Sequence, residues 1–270
     1  MQFINKTWAS KIALSIIGGE KMGLKINTLY TYKVTKKYNR KIEWITIHYT
    51  AGTLSNSCKA RAVANGFANN GREASADYVV DDDNIYLCNR DIKNQYTWSV
   101  GGNKYPSKSC SESAKYYGKC TNANSISIEM CSSKRNRSSL LATDTDWYFT
   151  DKVISLAVQL VAELMQEYNI DIDHVIMHSG VTGKICPNPF CVNEGALKNW
   201  REFKNKVIGI LNKEEEDDMT RYNKVSEVPS WGKDTVQKLI DKKLIADRNN
   251  MNLSEDMLRI FVMLDRNGTI

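Results

Sequence analysis

The 270-residue chain is poor in histidine (three), proline (four) and glycine (fifteen), and no apolar run approaches the about 18 residues of a membrane span. Scarce glycine and proline exclude a collagen-like fibre, and 42% hydrophobic with 25% charged residues excludes wholesale disorder. Seven cysteines are too few for a disulfide scaffold, and an odd count leaves at least one without an intramolecular disulfide partner. A reduced state is expected for most of them, with the state of Cys110 and Cys120 left open. The hydrophobic content suits one core of roughly 100–200 residues and a small second module.

Charge is unevenly placed. Residues 213–218 sum to −4 and residues 219–270 to +2, so that of the net +6 residues 1–212 carry +8. A basic body suits a polyanionic partner, nucleic acid and a teichoic-acid-bearing bacterial wall alike.

Residues 1–21 fit poorly with the rest of the chain. The apolar stretch from Ile12 to Ile17 is too short and weakly flanked for a signal peptide. Gly18-Gly19-Glu20-Lys21-Met22 can be encoded by a purine-rich, ribosome-binding type of sequence ahead of an ATG, so translation either starts at Met22 or passes through it as an internal methionine. From there the pattern predicts a β-branched and aromatic strand over Ile42–His48, a helix over Cys58–Asn69, and a hairpin of Ala76–Val80 with Ile85–Cys88. A long surface loop spans 103–124 and a further strand Ser125–Cys131. Thr150 caps a helix to about Tyr168, followed by a strand His174–His178, a loop with Gly183, Pro187 and Pro189, and a helix from about Glu194 to Leu211. Alternating strands and helices point to a mixed central β-sheet flanked by helices. This gives a main domain over 22–212, an acidic linker over 213–221 and a small helical module over 222–270, with helices at 234–242 and 255–263. A module so small calls for a Trp231-centred core or self-association.

Two of the three histidines, His48 and His178, close apolar strands, and Cys186 follows His178 by eight residues. Two neutral imidazoles and a thiolate suit zinc and leave a fourth position for water. The same residues also read as hydrogen-bonded core imidazoles and a small buried thiol, and spacing alone leaves both readings open.

The wording of the two segments goes further. Ile47-His48-Tyr49-Thr50-Ala51-Gly52, and His178-Ser179-Gly180-Val181-Thr182-Gly183-Lys184-Ile185-Cys186-Pro187-Asn188-Pro189-Phe190, closely resemble the type 2 N-acetylmuramoyl-L-alanine amidases. These are zinc enzymes of bacteriophage endolysins and bacterial autolysins that share a fold with peptidoglycan-recognition proteins. The resemblance spans about residues 40–205. It implies His48, His178 and Cys186 as zinc ligands, Lys184 as the basic residue that stabilises the oxyanion, and Glu129 in Ser127-Ile128-Glu129-Met130-Cys131 as general base on the attacking water. Among Ile126, Ile128 and Met130 such a carboxylate would be partly desolvated and its pKa raised; the alternative is an edge-strand surface carboxylate. Trp98, Tyr49 and Thr182 are the expected substrate contacts, with Trp98 either walling the groove or part of the core. His174, about 13 Å from His178 along a strand, is no expected ligand.

The chain departs from the pattern in two places. Asp77 stands in Ser75-Ala76-Asp77-Tyr78 where the family has His, with Ala76 where some relatives place a catalytic Tyr, and Ser99 replaces His in Trp98-Ser99-Val100-Gly101. Tyrosine-assisted stabilisation is therefore not expected. The tail, from Tyr222 to Trp231 and from Leu253 to Arg259, resembles C-terminal modules of clostridial phage and prophage endolysins, which implies wall binding; a docked helical extension is the alternative. Lys213-Glu214-Glu215-Glu216-Asp217-Asp218-Met219 can likewise be encoded by a ribosome-binding sequence, so a shorter product starting at Met219 could assemble with the full chain, or Met219 is incidental. The implied partners are peptidoglycan and wall polymers, with no nucleic acid, since no motif supports it. The implied location is the host bacterial cytoplasm until a separate pore releases the protein to the wall. A non-catalytic peptidoglycan receptor of the same fold is the rival reading.

Overall fold

A computed structural model describes residues 24–52, 59–69, 73–105, 113–141, 143–192, 195–218 and 220–270, with the side chains of 213–218 left aside. The readings placed on residues 1–22, Cys58, Cys110 and Met219 lie outside the described residues. The chain divides into two compact units, one ending at Lys204 and one starting at Asn205.

The first unit is built on a six-stranded mixed sheet in the order β1 (Ile26–Thr28), β5 (Ile85–Leu87), β4 (Tyr78–Val80), β7 (Ser125–Met130), β3 (Trp44–Tyr49) and β10 (Val175–Met177). Only β4 and β5 pair antiparallel; β1, β7, β3 and β10 join by parallel pairings. β3 lies between two parallel neighbours and all six of its residues are buried, so its alternating polar residues, Thr46 and His48, are interior as well. Two short ribbons, β2 (Val34–Lys36) with β6 (Gln95–Thr97) and β8 (Ser133–Lys134) with β9 (Trp147–Tyr148), accompany this sheet.

Helices cover the sheet. α1 (Ala60–Asn69) packs Ala60 and Ala64 against Val79, Cys88 and Cys131. α2 (Asp151–Tyr168) starts where the Thr150 hydroxyl accepts the Val153 N–H and ends on Asn169 in the left-handed region, with Val153, Ala157, Val161 and Leu164 on its buried stripe. α3 (His178–Thr182), α4 (Asn188–Cys191) and α5 (Ala196–Asp218) complete the order.

Three expectations need correction. The strand before His178 covers only Val175–Met177: His174 closes a 3-10 turn capped by Asp171, and His178 opens α3 instead of ending the strand. The helix expected to stop at Leu211 runs on through the acidic residues to Asp218. The segment read as surface loop is in part core, because Cys120 is buried and Tyr116 packs on Trp44 with ring centroids 5.1 Å apart. Cys120 carries a free thiol.

The second unit pairs β11 (Arg221–Tyr222) antiparallel with β12 (Leu253–Ser254) and carries α6 (Ser230–Asp241) and α7 (Glu255–Arg266). Its core is Tyr222, Val228, Val236, Leu253, Leu258 and Val262. Trp231 is 42% exposed, so it does not centre that core; Gly232 beside it faces inward, since a Cβ there would meet Leu258 at 2.8 Å. The absence of a side chain lets the two helices approach at this point. Among the described residues no helix is long and apolar enough to cross a membrane.

Candidate metal centre

His48 is the penultimate residue of β3, a strand interior to the sheet. The neighbouring strand β10 delivers the chain directly into α3, whose first residue is His178. Gly183 ends α3 at φ 83°, a left-handed conformation that glycine adopts without penalty, and its N–H bonds the Ser179 carbonyl. The chain then doubles back, and the Ser179 N–H donates to the Cys186 carbonyl at 2.7 Å. This loop is what the Gly183 and Pro187 signals stand for: it returns Cys186 to the imidazoles. The ring centroids of His48 and His178 are 4.6 Å apart, and Cys186 Sγ lies 3.7 Å from His48 Nδ1.

One donor atom from each of His48, His178 and Cys186 lies within 4.8 Å of the others, and all three residues are buried. That is close to the span one ion bridges with donors about 2.0–2.3 Å away. Burial holds both imidazoles neutral, with His178 lowered to about 3 and His48 well below its ordinary value by burial and by the nearby His178 and Lys184. Their lone pairs are thus available. Among the described residues both ring nitrogens of His178 are buried without a hydrogen-bond partner, an expensive arrangement that a bound cation would relieve. The Cys186 thiol is pushed up to about 12, by burial first and by Glu129 second, while the Tyr49 backbone N–H points at its sulfur. The orphaned His178 imidazole and a borderline donor set of two ring nitrogens and one sulfur fit a zinc-type ion.

Glu129 stands on β7 in register with His48 on β3. One carboxylate oxygen is buried without a partner among the described residues, and burial raises the group to about 8 against the pull of Lys184. Lys184 itself is exposed and acts electrostatically on His48, His178, Cys186 and Glu129. Thr182 is buried; its carbonyl accepts the Tyr105 N–H at 2.7 Å and its hydroxyl faces the Lys184 N–H. Tyr49 is buried edge-on to Trp147, and Trp98 is half-buried with its indole N–H donating to Thr35 on the β2–β6 ribbon at 3.0 Å. His174 bonds Asp171 and stacks edge-on to Trp44.

Three contributors escaped the motif reading. Residues Ala114 and Tyr116 latch α3 by donating N–H groups to the Ser179 and Gly180 carbonyls, both at 2.8 Å. No periodicity in that segment signals this. Asp77, fully buried, accepts from Asn89 at 2.6 Å, from Thr97 at 3.0 Å and from both the N–H and hydroxyl of Ser127, at 2.8 and 3.0 Å. The residue that departs from the family pattern is therefore the hub of a polar network that ties β6 and β7 together beside β4. Thr46 lies 3.3 Å from His48 Nε2; its spacing of two on one strand puts it on the face of His48, a signal the sequence does carry.

The chain is 30% identical over 88 residues to the N-acetylmuramoyl-L-alanine amidase CwlL of Bacillus licheniformis, a match covering 33% of this chain and 21% of that protein. The chain thus matches about a fifth of the length of that curated relative. Solved structures similar to it include PlyL, at 26% identity and a TM-score of 0.49 over 68% of this chain and 97% of that one, and the catalytic domain of XlyA, at 25% identity and 0.49 over 68% and 99%. The N-acetylmuramoyl-L-alanine amidase family, Amidase_2, matches residues 38–189. That stretch is more than half of the chain and holds β3, β7, β10 and all three buried donors, so the chain belongs to the N-acetylmuramoyl-L-alanine amidase family.

Proposed function

We propose that the protein is an endolysin that hydrolyses the amide between the lactyl group of N-acetylmuramic acid and L-alanine in bacterial peptidoglycan. The observation that carries the reading is the buried His48–His178–Cys186 cluster with Glu129 in register beside His48, in a chain of the amidase family. His48, His178 and Cys186 would hold zinc, which supplies Lewis acidity for the carbonyl and lowers the pKa of water. Glu129 accepts a proton as water adds to the carbonyl carbon, and returns it to the L-alanine nitrogen as the carbon–nitrogen bond breaks. Lys184 stabilises the negative charge that builds on the carbonyl oxygen. Trp98, Tyr49 and Thr182 are the proposed substrate contacts. Residues 222–270 target the wall and raise the local concentration of the catalytic unit on an insoluble substrate. Self-association of this module, with a shorter product from Met219, belongs to the same reading, as does residence in the host cytoplasm until lysis.

Metal analysis combined with turbidity loss of purified clostridial walls tests the proposal. Wild type is expected to carry one zinc per chain and to clear the walls; Cys186→Ser loses the zinc, and Glu129→Ala keeps it but stops clearing. A wild type that binds walls without zinc and without clearing them would establish a receptor in its place.

A further inference from the structure

Thr46 is fully buried on β3, two residues before His48 and on the same face of the strand. Its hydroxyl donates to the Ile126 carbonyl of the adjacent strand at 3.2 Å. The same oxygen lies 3.3 Å from His48 Nε2. A threonine hydroxyl carries a single proton, and here that proton is engaged with Ile126, so the oxygen meets His48 only as an acceptor. Nε2 must then carry the hydrogen. A neutral imidazole has one N–H, which leaves the lone pair on Nδ1, and Nδ1 is the nitrogen that lies 3.7 Å from Cys186 Sγ. Among the described residues His178 has no such partner on either nitrogen.

We infer that Thr46 is a positioning residue: the relay from His48 Nε2–H through the Thr46 hydroxyl to the Ile126 carbonyl fixes the tautomer and ring orientation that present Nδ1 to a metal. The inference rests on the metal-centre reading proposed above. A hydrogen-bonded partner on the far nitrogen of a metal-binding histidine typically strengthens binding by about 10- to 100-fold.

The test uses the full chain. Nitrogen NMR of the metal-free wild type reads the His48 tautomer directly, and competition against a chromophoric chelator reads zinc affinity in wild type, Thr46→Val and Thr46→Ser. The expected result is an Nε2-protonated His48 in wild type, a mixture of tautomers and about 10- to 100-fold weaker zinc binding in Thr46→Val, and near-wild-type behaviour in Thr46→Ser, which restores the hydroxyl. An Nδ1-protonated His48 in the wild type overturns the inference. So does a Thr46→Val protein with wild-type tautomer and affinity, or a Thr46→Ser protein as weak as Thr46→Val, since the hydroxyl would then not be the cause. Should Thr46→Val not fold, the wild-type tautomer and the Thr46→Ser affinity decide. A wild type that binds no zinc ends the metal reading, while the tautomer still decides what Thr46 does to His48.

Discussion

His48 and Glu129 are register partners on the adjacent parallel strands β3 and β7. Partners in a parallel pair point to the same face with their strands about 4.8 Å apart, so one strand pairing puts the candidate base beside a candidate ligand. The arrangement is rigid because both strands are interior to the sheet. A cation held at His48 adjoins the Glu129 carboxyl and favours its ionised form, the form a general base needs.

Lys184 is the exposed cation that acts on every member of the cluster. Replacing it with Ala is expected to lower the hydrolysis rate about 10²- to 10³-fold while leaving zinc content unchanged. Initial rates of wall clearing at matched zinc loading check this, and an unaltered rate would remove Lys184 from the mechanism.

The metal-free protein should be most stable near the ordinary histidine pKa of 6.5. The folded imidazoles refuse protons that the unfolded chain binds below 6.5, with His178 lowered to about 3 and His48 also lowered, so their contribution to stability is present at higher pH and is lost as pH falls. Glu129 has the opposite sign: raised from 4.5 to about 8, it keeps a proton in the fold that the unfolded chain has released, and stability falls as pH rises across that window. From 4.5 to 6.5 two imidazoles outweigh one carboxyl; from 6.5 to about 8 the carboxyl acts alone. Urea midpoints in the presence of chelator should therefore rise from about pH 5 to 6.5 and decline toward pH 8; a steady rise throughout would contradict the burial of Glu129.

Asp77→Ala removes the buried acceptor shared by the Asn89 amide, the Thr97 hydroxyl and both donors of Ser127, although the Thr97 and Ser127 hydroxyls lie 3.2 Å apart and the Asn89 amide also reaches the Gln95 carbonyl. Losing this acceptor should cost about 1–3 kcal/mol, read as a lower denaturant midpoint at unchanged slope. A loss under about 1 kcal/mol would show that the network relaxes or hydrates freely.

In the second unit, Gly232→Val drives a side chain against Leu258, which is fully buried. The expected cost is about 1–3 kcal/mol to that unit, with wall binding weakened and hydrolysis of a soluble muropeptide retained. Equal loss of both activities would argue against a separate targeting role for residues 222–270.

The strongest local signals carried the fold far. The apolar stripe of α2 with its Thr150 cap, the largely apolar β3 and the glycine and proline punctuation around Cys186 are each properties of a few consecutive residues, and the structure has them. Where signals are non-local the reading slipped. His178 looks like the end of a strand because Val175-Ile176-Met177 precede it, yet the turn closed by Gly183 claims it for α3. Trp231 looks like a core residue by size, yet it is exposed while Gly232 beside it faces Leu258.

Sequence thus carried most of the element types and the family, and singled out the three residues that the fold brings together, because periodicity, capping and turn chemistry are encoded in short stretches of chain. The register of His48 against Glu129, the relay from His48 through Thr46 to Ile126, the four donors around Asp77 and the latch of residues 114–116 on α3 were decided only by tertiary structure. Each joins groups on different strands or loops, and which partner meets which is set by strand pairing and burial across the whole sheet.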